Sequence, residues 1–164
     1  MHKIILIAHN LRSAHNVGSL IRTGEGLGLE KIFLTGYSPY PLQSQDTRLP
    51  FLAQKIDKRI KKTSLGAEDS IDVIYEKDIL KLINDLKKDD YKVLALEQDK
   101  SAIKLNEFTS ESNIALVVGN EVDGLEQAVI SLCDAVIEIP MLGKKESFNV
   151  VQSAAMALYH CRYP

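Results

Sequence analysis

The sequence has little cysteine, little net charge and no long apolar run, and each shortage excludes a class of protein. Its two cysteines, Cys133 and Cys161, lack C-x-x-C spacing, which argues against a disulfide scaffold and fits a reducing compartment. Neither stands where a nucleophile is expected. A formal net charge of -2 and a pI near 6.1 speak against a protein that coats DNA, because sequence-independent binding rests on Lys and Arg neutralising phosphates. The opening "MHKIILIAHN" holds only five consecutive apolar residues, too few for a signal-peptide core, and no later run approaches the roughly 20 needed to span a bilayer. His2, His9, His15 and His160 show no metal-ligand spacing and read as ordinary surface or core histidines. The expectation is a cytoplasmic protein with no membrane or DNA partner and no metal.

What is present is an ordinary globular composition, 45% hydrophobic and 26% charged, over 164 residues, enough for one domain with a substantial core. Residues 1–164 are therefore read as a single domain. Short Ile/Val/Leu-rich runs at 4–8, 32–35, 72–75, 91–96, 114–118 and 135–139 read as strands. Helix-period stretches at 17–27, 51–61, 77–88, 125–132 and 150–161 separate or follow them. Near-continuous apolar strands are buried on both faces, so the pattern predicts an α/β fold: a mostly parallel six-stranded sheet with helices on each side. Residues 36–50, with Pro39, Pro41 and Pro50, form the expected long loop.

Ligands of such sheets bind beyond the carboxyl ends of the strands, where the loops begin at His9, Gly36, Glu97, Gly119 and Pro140. After the first strand, Asn16 suits a helix N-cap, Gly18 permits close approach of a ligand or a second backbone, and Arg22 reads either as an exposed, solvated arginine or as a guanidinium that reaches the sheet edge and grips a phosphate. Gly24, Gly26 and Gly28 close a helix instead of opening one after a strand, the wrong context for a dinucleotide loop, which argues against a Rossmann-type oxidoreductase. After the fifth run comes Gly119-Asn120-Glu121, with Asp123-Gly124 turning into the next helix. After the sixth, Pro140 stops the strand, and the backbone of 139–142 could cradle a flat aromatic ligand, with Ser147 and Asn149 facing the same crevice. Asn149 and Gln152 have the spacing of a reciprocal helix cap. Ser147 lacks a G-x-S-x-G elbow and is a poor nucleophile. The densest basic stretch is Lys55, Lys58, Arg59, Lys61 and Lys62, with Arg48 upstream, read either as a solvated helix face or as a contact for an RNA backbone.

The strings "HNVGSLIRT", "ALVVGNEVDGL", "CDAVIEIPMLG" and "SFNVVQSAAMALY" together resemble, in order and spacing, the three signature motifs of SpoU/TrmH-type RNA 2'-O-ribose methyltransferases, a branch of the SPOUT superfamily. The resemblance spans essentially the whole chain. It implies a C-terminal segment threaded into a trefoil knot, which contradicts the usual rule that chains do not thread. It also implies a homodimer built on the knot, S-adenosylmethionine as cofactor, and an RNA substrate, tRNA favoured with rRNA as the alternative. Carried onto this sequence, Leu96, Gly119, Ile139, Met141, Ser147 and Phe148 would form the cofactor site, and Asn16, Arg22, Glu121, Ser147 and Asn149 the catalytic centre. Val122 stands where the family usually has glycine, and Phe148 where it usually has leucine and is expected to narrow the pocket. No accessory N-terminal RNA-binding domain is expected within this stretch. A non-catalytic RNA-binding protein that kept the fold is the rival reading, disfavoured because the polar catalytic residue types are all present.

Overall fold

Strand residues dictate the architecture. In β1 (Ile4–His9) every side chain is buried, so neither face is left to solvent and both must be covered. The structure, a computed structural model, describes residues 2–164. It has seven parallel strands: β1, β2 (Lys31–Thr35), β3 (Asp72–Glu76), β4 (Tyr91–Leu96), β5 (Ile103–Lys104), β6 (Asn113–Val118) and β7 (Ala135–Glu138), in the order β3-β2-β1-β6-β4-β7-β5. The expected six strands are corrected to seven. The extra one, β5, is two exposed residues beside β7, too short to show any alternation.

Five helices cover the sheet: α1 (Ala14–Gly26), α2 (Pro50–Ser64), α3 (Ile79–Lys88), α4 (Gln127–Ile130) and α5 (Val150–Arg162). The pleat sorts the core into two layers. Ile4, Leu6 and Ala8 of β1 and Leu116 of β6 pack with α1, α2 and α5 through Leu20, Ile60 and Ala154. Ile5, Ile7 and Val117 pack on the other side with Ile83 of α3 and Val129 of α4. The helix after β1 and the helix after β6 therefore leave the sheet on opposite faces, which opens a crevice between these adjacent strands at their carboxyl ends. Among the described residues no helix is long and apolar enough to cross a membrane.

Helix starts follow local chemistry and correct three expectations. Ser13, not Asn16, caps α1, its Oγ accepting from the Asn16 amide at 3.2 Å, so the helix begins three residues earlier than the periodic pattern. Pro50 does not oppose structure; it opens α2, where its missing N–H costs nothing. Asn149 caps α5 through Val151 N at 2.9 Å, while Gln152 is exposed and makes no return bond among the described residues. From that cap α5 runs to the opposite edge, where the buried Arg162 donates to the carbonyls of His2 (2.9 Å), Leu27 (3.1 Å) and Gly28 (2.7 Å).

The close approach expected at Gly18 is made by a second backbone. A Cβ there would stand 2.2 Å from Ile60 O and from Thr63 Oγ1, so α1 and α2 touch main chain to main chain. Gly18→Ala should lower stability by about 1–3 kcal/mol through overpacking that neither backbone can relieve. Gly26→Ala, at the end of the same helix with nothing within 4 Å, should stabilise by about 0.4–1 kcal/mol. Urea midpoints of the two variants moving in the same direction would refute this account of the packing.

Candidate functional site

Three carboxyl-end loops meet on one buried amide. Asn120, directly after β6 and Gly119, is 7% exposed and closes a tight loop with Gly124 through N–H···O bonds of 3.2 and 3.0 Å. Its Oδ1 accepts from the amides of Val122 (2.8 Å) and Asp123 (3.2 Å), and its Nδ2 donates to Asn10 O (3.3 Å) and to the Tyr37 hydroxyl. The loop is too tight for side chains at its base. Gly124 has φ +69°, and a Cβ there would lie 2.2 Å from Glu97 Oε2, the oxygen that accepts from Leu125 N at 3.0 Å.

This geometry presents Glu121 to the crevice between β1 and β6. Its Oε1 accepts from Asn16 Nδ2 at 2.8 Å and its Oε2 from Arg12 N at 3.3 Å. Asn16 can make that bond because Ser13 does the capping. Beside Glu121 opens a cavity of about 300 Å³, bounded by the ends of β4, β6 and β7 and by the start of α5. Five of the six residues expected to hold a cofactor line it, namely Leu96, Gly119, Ile139, Ser147 and Phe148. Met141 does not. Of the residues expected to be catalytic, Glu121 and Ser147 line the cavity and Asn16 is bonded to Glu121.

Two expected residues are placed elsewhere. Asn149 does not line the cavity; its side-chain oxygen is spent on the α5 cap. Arg22 is exposed on α1, and among the described residues it has no hydrogen bond or ion pair. It lies eight residues beyond the helix start and does not line the cavity. Neither thiol belongs to the site, and burial pushes both Cys133 and Cys161 up to about 11.

Comparison with known proteins decides the family. The model of the SpoU rRNA Methylase family matches residues 3–159. The chain belongs to the SpoU rRNA methylase family. A Staphylococcus aureus protein assigned by name to the TrmH family of tRNA/rRNA methyltransferases is 27% identical over 155 residues, 94% of this chain but 56% of that protein. The chain thus spans about half the length of such curated relatives. The AdoMet-bound rRNA methyltransferase of Sinorhizobium meliloti superposes with a TM-score of 0.81 at 20% identity, covering 99% of this chain and 58% of that one. A solved structure concerned with 2-OH methylation of C/U34 on tRNA gives 0.77 at 21% identity and covers 96% and 93%. These likenesses show that the chain shares the α/β fold of those structures.

In this SpoU-family chain, sequence reasoning missed Arg12, Tyr37 and Glu97 as parts of the site, and His9, which stands behind it in contact with Asn10. His9 is buried at the end of β1, its Nδ1 2.8 Å from Thr35 Oγ1 and its Nε2 3.0 Å from both Glu126 Oε2 and Asn10 Nδ2; the carboxylate can only accept and the amide nitrogen only donate, so Nε2 bonds to one of them at a time. A histidine at a strand's carboxyl end facing the switch-point crevice was the available signal. Burial lowers the His9 pKa, and Glu126 offsets part of that. The native ring therefore resists a proton that the unfolded chain accepts near pH 6.5. The stability this depression represents is present above that pH and is lost as pH falls from about 6.5 through the native value, by up to about 1.4 kcal/mol per pH unit. His9→Gln should flatten the decline; urea titrations from neutral to mildly acid pH with equal slopes in both proteins would show that His9 is not responsible.

Proposed function

We propose that this chain transfers the methyl group of S-adenosylmethionine to a ribose 2'-hydroxyl of RNA, with tRNA favoured over rRNA. The observation that carries the reading is the joining of the cavity lined by Leu96, Gly119, Ile139 and Phe148 to a carboxylate held by Asn16 at 2.8 Å. Its size is at the lower end of ligand pockets. Its apolar walls suit an adenine ring, and the carboxylates of Glu97, Glu121, Glu138 and Glu146 around it suit a cofactor that carries a sulfonium and an ammonium. Bound there, the cofactor would supply an electrophilic methyl group.

The remaining tasks fall to this chain's own side chains. Catalysis requires that the hydroxyl be aligned with the methyl and that charge developing on its oxygen be stabilised. Glu121, fixed by Asn16 and the Arg12 amide, orients the ribose, and Ser147 lines the cavity beside it. An arginine cannot serve as a base at neutral pH, so Arg22 would grip the neighbouring phosphate and stabilise the alkoxide. Because Arg22 lies outside the cavity of its own protomer, the reading assigns it to the site of a second subunit in a homodimer. Met156, Tyr159 and Tyr163, large side chains exposed at 38%, 60% and 58% on and just beyond α5, support such an interface. Asn149 then acts by holding the start of α5 in place.

A trefoil knot is part of the same proposal. Residues 139–149 leave β7, pass beyond β4 and join α5 on the layer of β1 and β6, with Gln98 Nε2 donating to Glu146 O at 2.6 Å as the segment crosses. Residues 1–164 are proposed to form a single catalytic domain that acts in the cytoplasm.

Arg22→Ala should bind S-adenosylmethionine as the parent does while methyl transfer to RNA drops by about 100-fold or more. Calorimetry with the cofactor and transfer of a radiolabelled methyl group would measure both. Full transfer in that variant removes Arg22 from the mechanism, and no cofactor binding in the parent leaves the non-catalytic rival. Nucleoside mass spectrometry of RNA from cells lacking the gene would name the methylated nucleoside.

A further inference from the structure

A second cavity, of about 550 Å³, lies close beside the first. Arg12 lines it while pairing with Asp123 at 3.1 Å, and Tyr37 lines it while its hydroxyl holds Asn120. Its deeper wall is a finished stack. The Tyr40 ring lies between Tyr75, 4.1 Å away between centroids, and the Arg48 guanidinium, 3.5 Å from the ring centre. Arg48 also donates to Tyr40 O (3.0 Å), Pro41 O (3.2 Å) and Asp46, so it rivets the 36–49 loop and is not free for a ligand, contrary to its grouping with the basic stretch.

The groups left open are of two kinds. Lys55 and Arg59, four residues apart on one face of α2, line the cavity, are exposed, and form no ion pair among the described residues. Arg12 makes only an exposed pair with Asp123, their side chains 58% and 70% exposed, which costs little to exchange for another anion. Tyr37 is 58% exposed yet fixed at both ends, its amide donating to Asn10 Oδ1 at 3.1 Å and its hydroxyl bonded to Asn120. A rigid, accessible ring among three cations matches a nucleotide: a flat base to stack and phosphates to neutralise. Lys58, Lys61 and Lys62 do not line the cavity, and Lys61 is already paired with Asp57 at 2.8 Å.

We propose that this cavity is an RNA subsite that holds a nucleotide next to the one methylated, its base on Tyr37 and its phosphates against Arg12, Lys55 and Arg59. That adjacency rests on the methyl-transfer reading; the RNA contact itself does not. Because Tyr37 holds Asn120, and Asn120 shapes the loop that presents Glu121, occupation of this subsite acts directly on the position of the reacting carboxylate.

Fluorescence anisotropy with a short labelled oligouridylate RNA tests the assignment on the full chain. The double variant Lys55→Gln/Arg59→Gln should bind more weakly, with the slope of log affinity against log salt reduced by about 1.4, that is about 0.7 for each phosphate no longer neutralised. Tyr37→Ala should lose about tenfold in affinity at any salt concentration, and Tyr37→Phe, which keeps the ring but frees it from Asn120, should lose less than Tyr37→Ala. Lys58→Gln/Lys62→Gln should affect binding less than Lys55→Gln/Arg59→Gln. The proposal is overturned if those two double variants are equal, if Tyr37→Ala binds as the parent does, or if uridine monophosphate displaces the oligonucleotide and so marks a free-nucleotide site. S-adenosylmethionine calorimetry on the same proteins separates the two readings. Absence of cofactor binding by the parent, with the RNA results as expected, sinks methyl transfer and leaves the subsite.

Discussion

Much of the site depends on the saturation of one amide side chain. Asn120 is buried after a strand whose residues 114–118 are all apolar and buried, a position where an unpaired amide would cost several kcal/mol. Every polar atom of its side chain is satisfied instead, from within its own loop and from the segments that follow β1 and β2. Because both the acceptor and the donor ends are used, the three loops cannot move independently. Glu121 inherits its direction from this arrangement, and the wall between the two cavities is built from the same bonds.

Glycines let that arrangement exist. The Asn120–Gly124 loop folds back so tightly that a Cβ on Gly119 would lie 2.6 Å from the Gly124 carbonyl carbon. Gly124 in turn leaves the volume that the Glu97 carboxylate fills. The second motif is therefore more a steric requirement than a set of reactive groups: two of its residues are there for lack of a side chain, one for an amide, and one for a carboxylate at the end. Val122 fits in this loop because its side chain is 72% exposed while its amide makes the 2.8 Å bond to Asn120 Oδ1.

Much of this is legible in the chain, because apolar strands buried on both faces carry a strong local signal. The runs at 4–8, 91–96 and 114–118 each lie within one residue of β1, β4 and β6. What is not legible depends on contacts between distant residues or on signals too short to stand out. β5 has two residues and no periodicity. Apolar periodicity begins at Val17 and so points to Asn16 as the α1 cap, whereas Ser13 takes that role and frees Asn16 for a partner 105 residues away. Tyr37 sits in a proline-rich loop whose fold is decided by Asn120, 83 residues on. Arg162 carries no local signal beyond a charge near the terminus, yet it is buried under three carbonyls from the other end of the chain.

On the proposed reading, an acidic chain that holds RNA must concentrate its useful cations, and here helix packing does so. Net charge of -2 gives no long-range attraction, so local geometry has to supply it. The contact of Gly18 with the Ile60 carbonyl, together with the 2.8 Å bond from Thr63 Oγ1 to His15 O, seats α2 against the first turns of α1. That seating brings Lys55 and Arg59 to the cavity edge occupied by Arg12, although 43 and 47 residues separate them in sequence. The acidic groups lie on the other side of the Asn120 wall, where Glu97, Glu121, Glu138 and Glu146 surround the first cavity. On the proposed reading this division has a direct consequence. A polyanion is drawn to one side and a cationic methyl donor to the other, and only the ribose that bridges them reaches the carboxylate between.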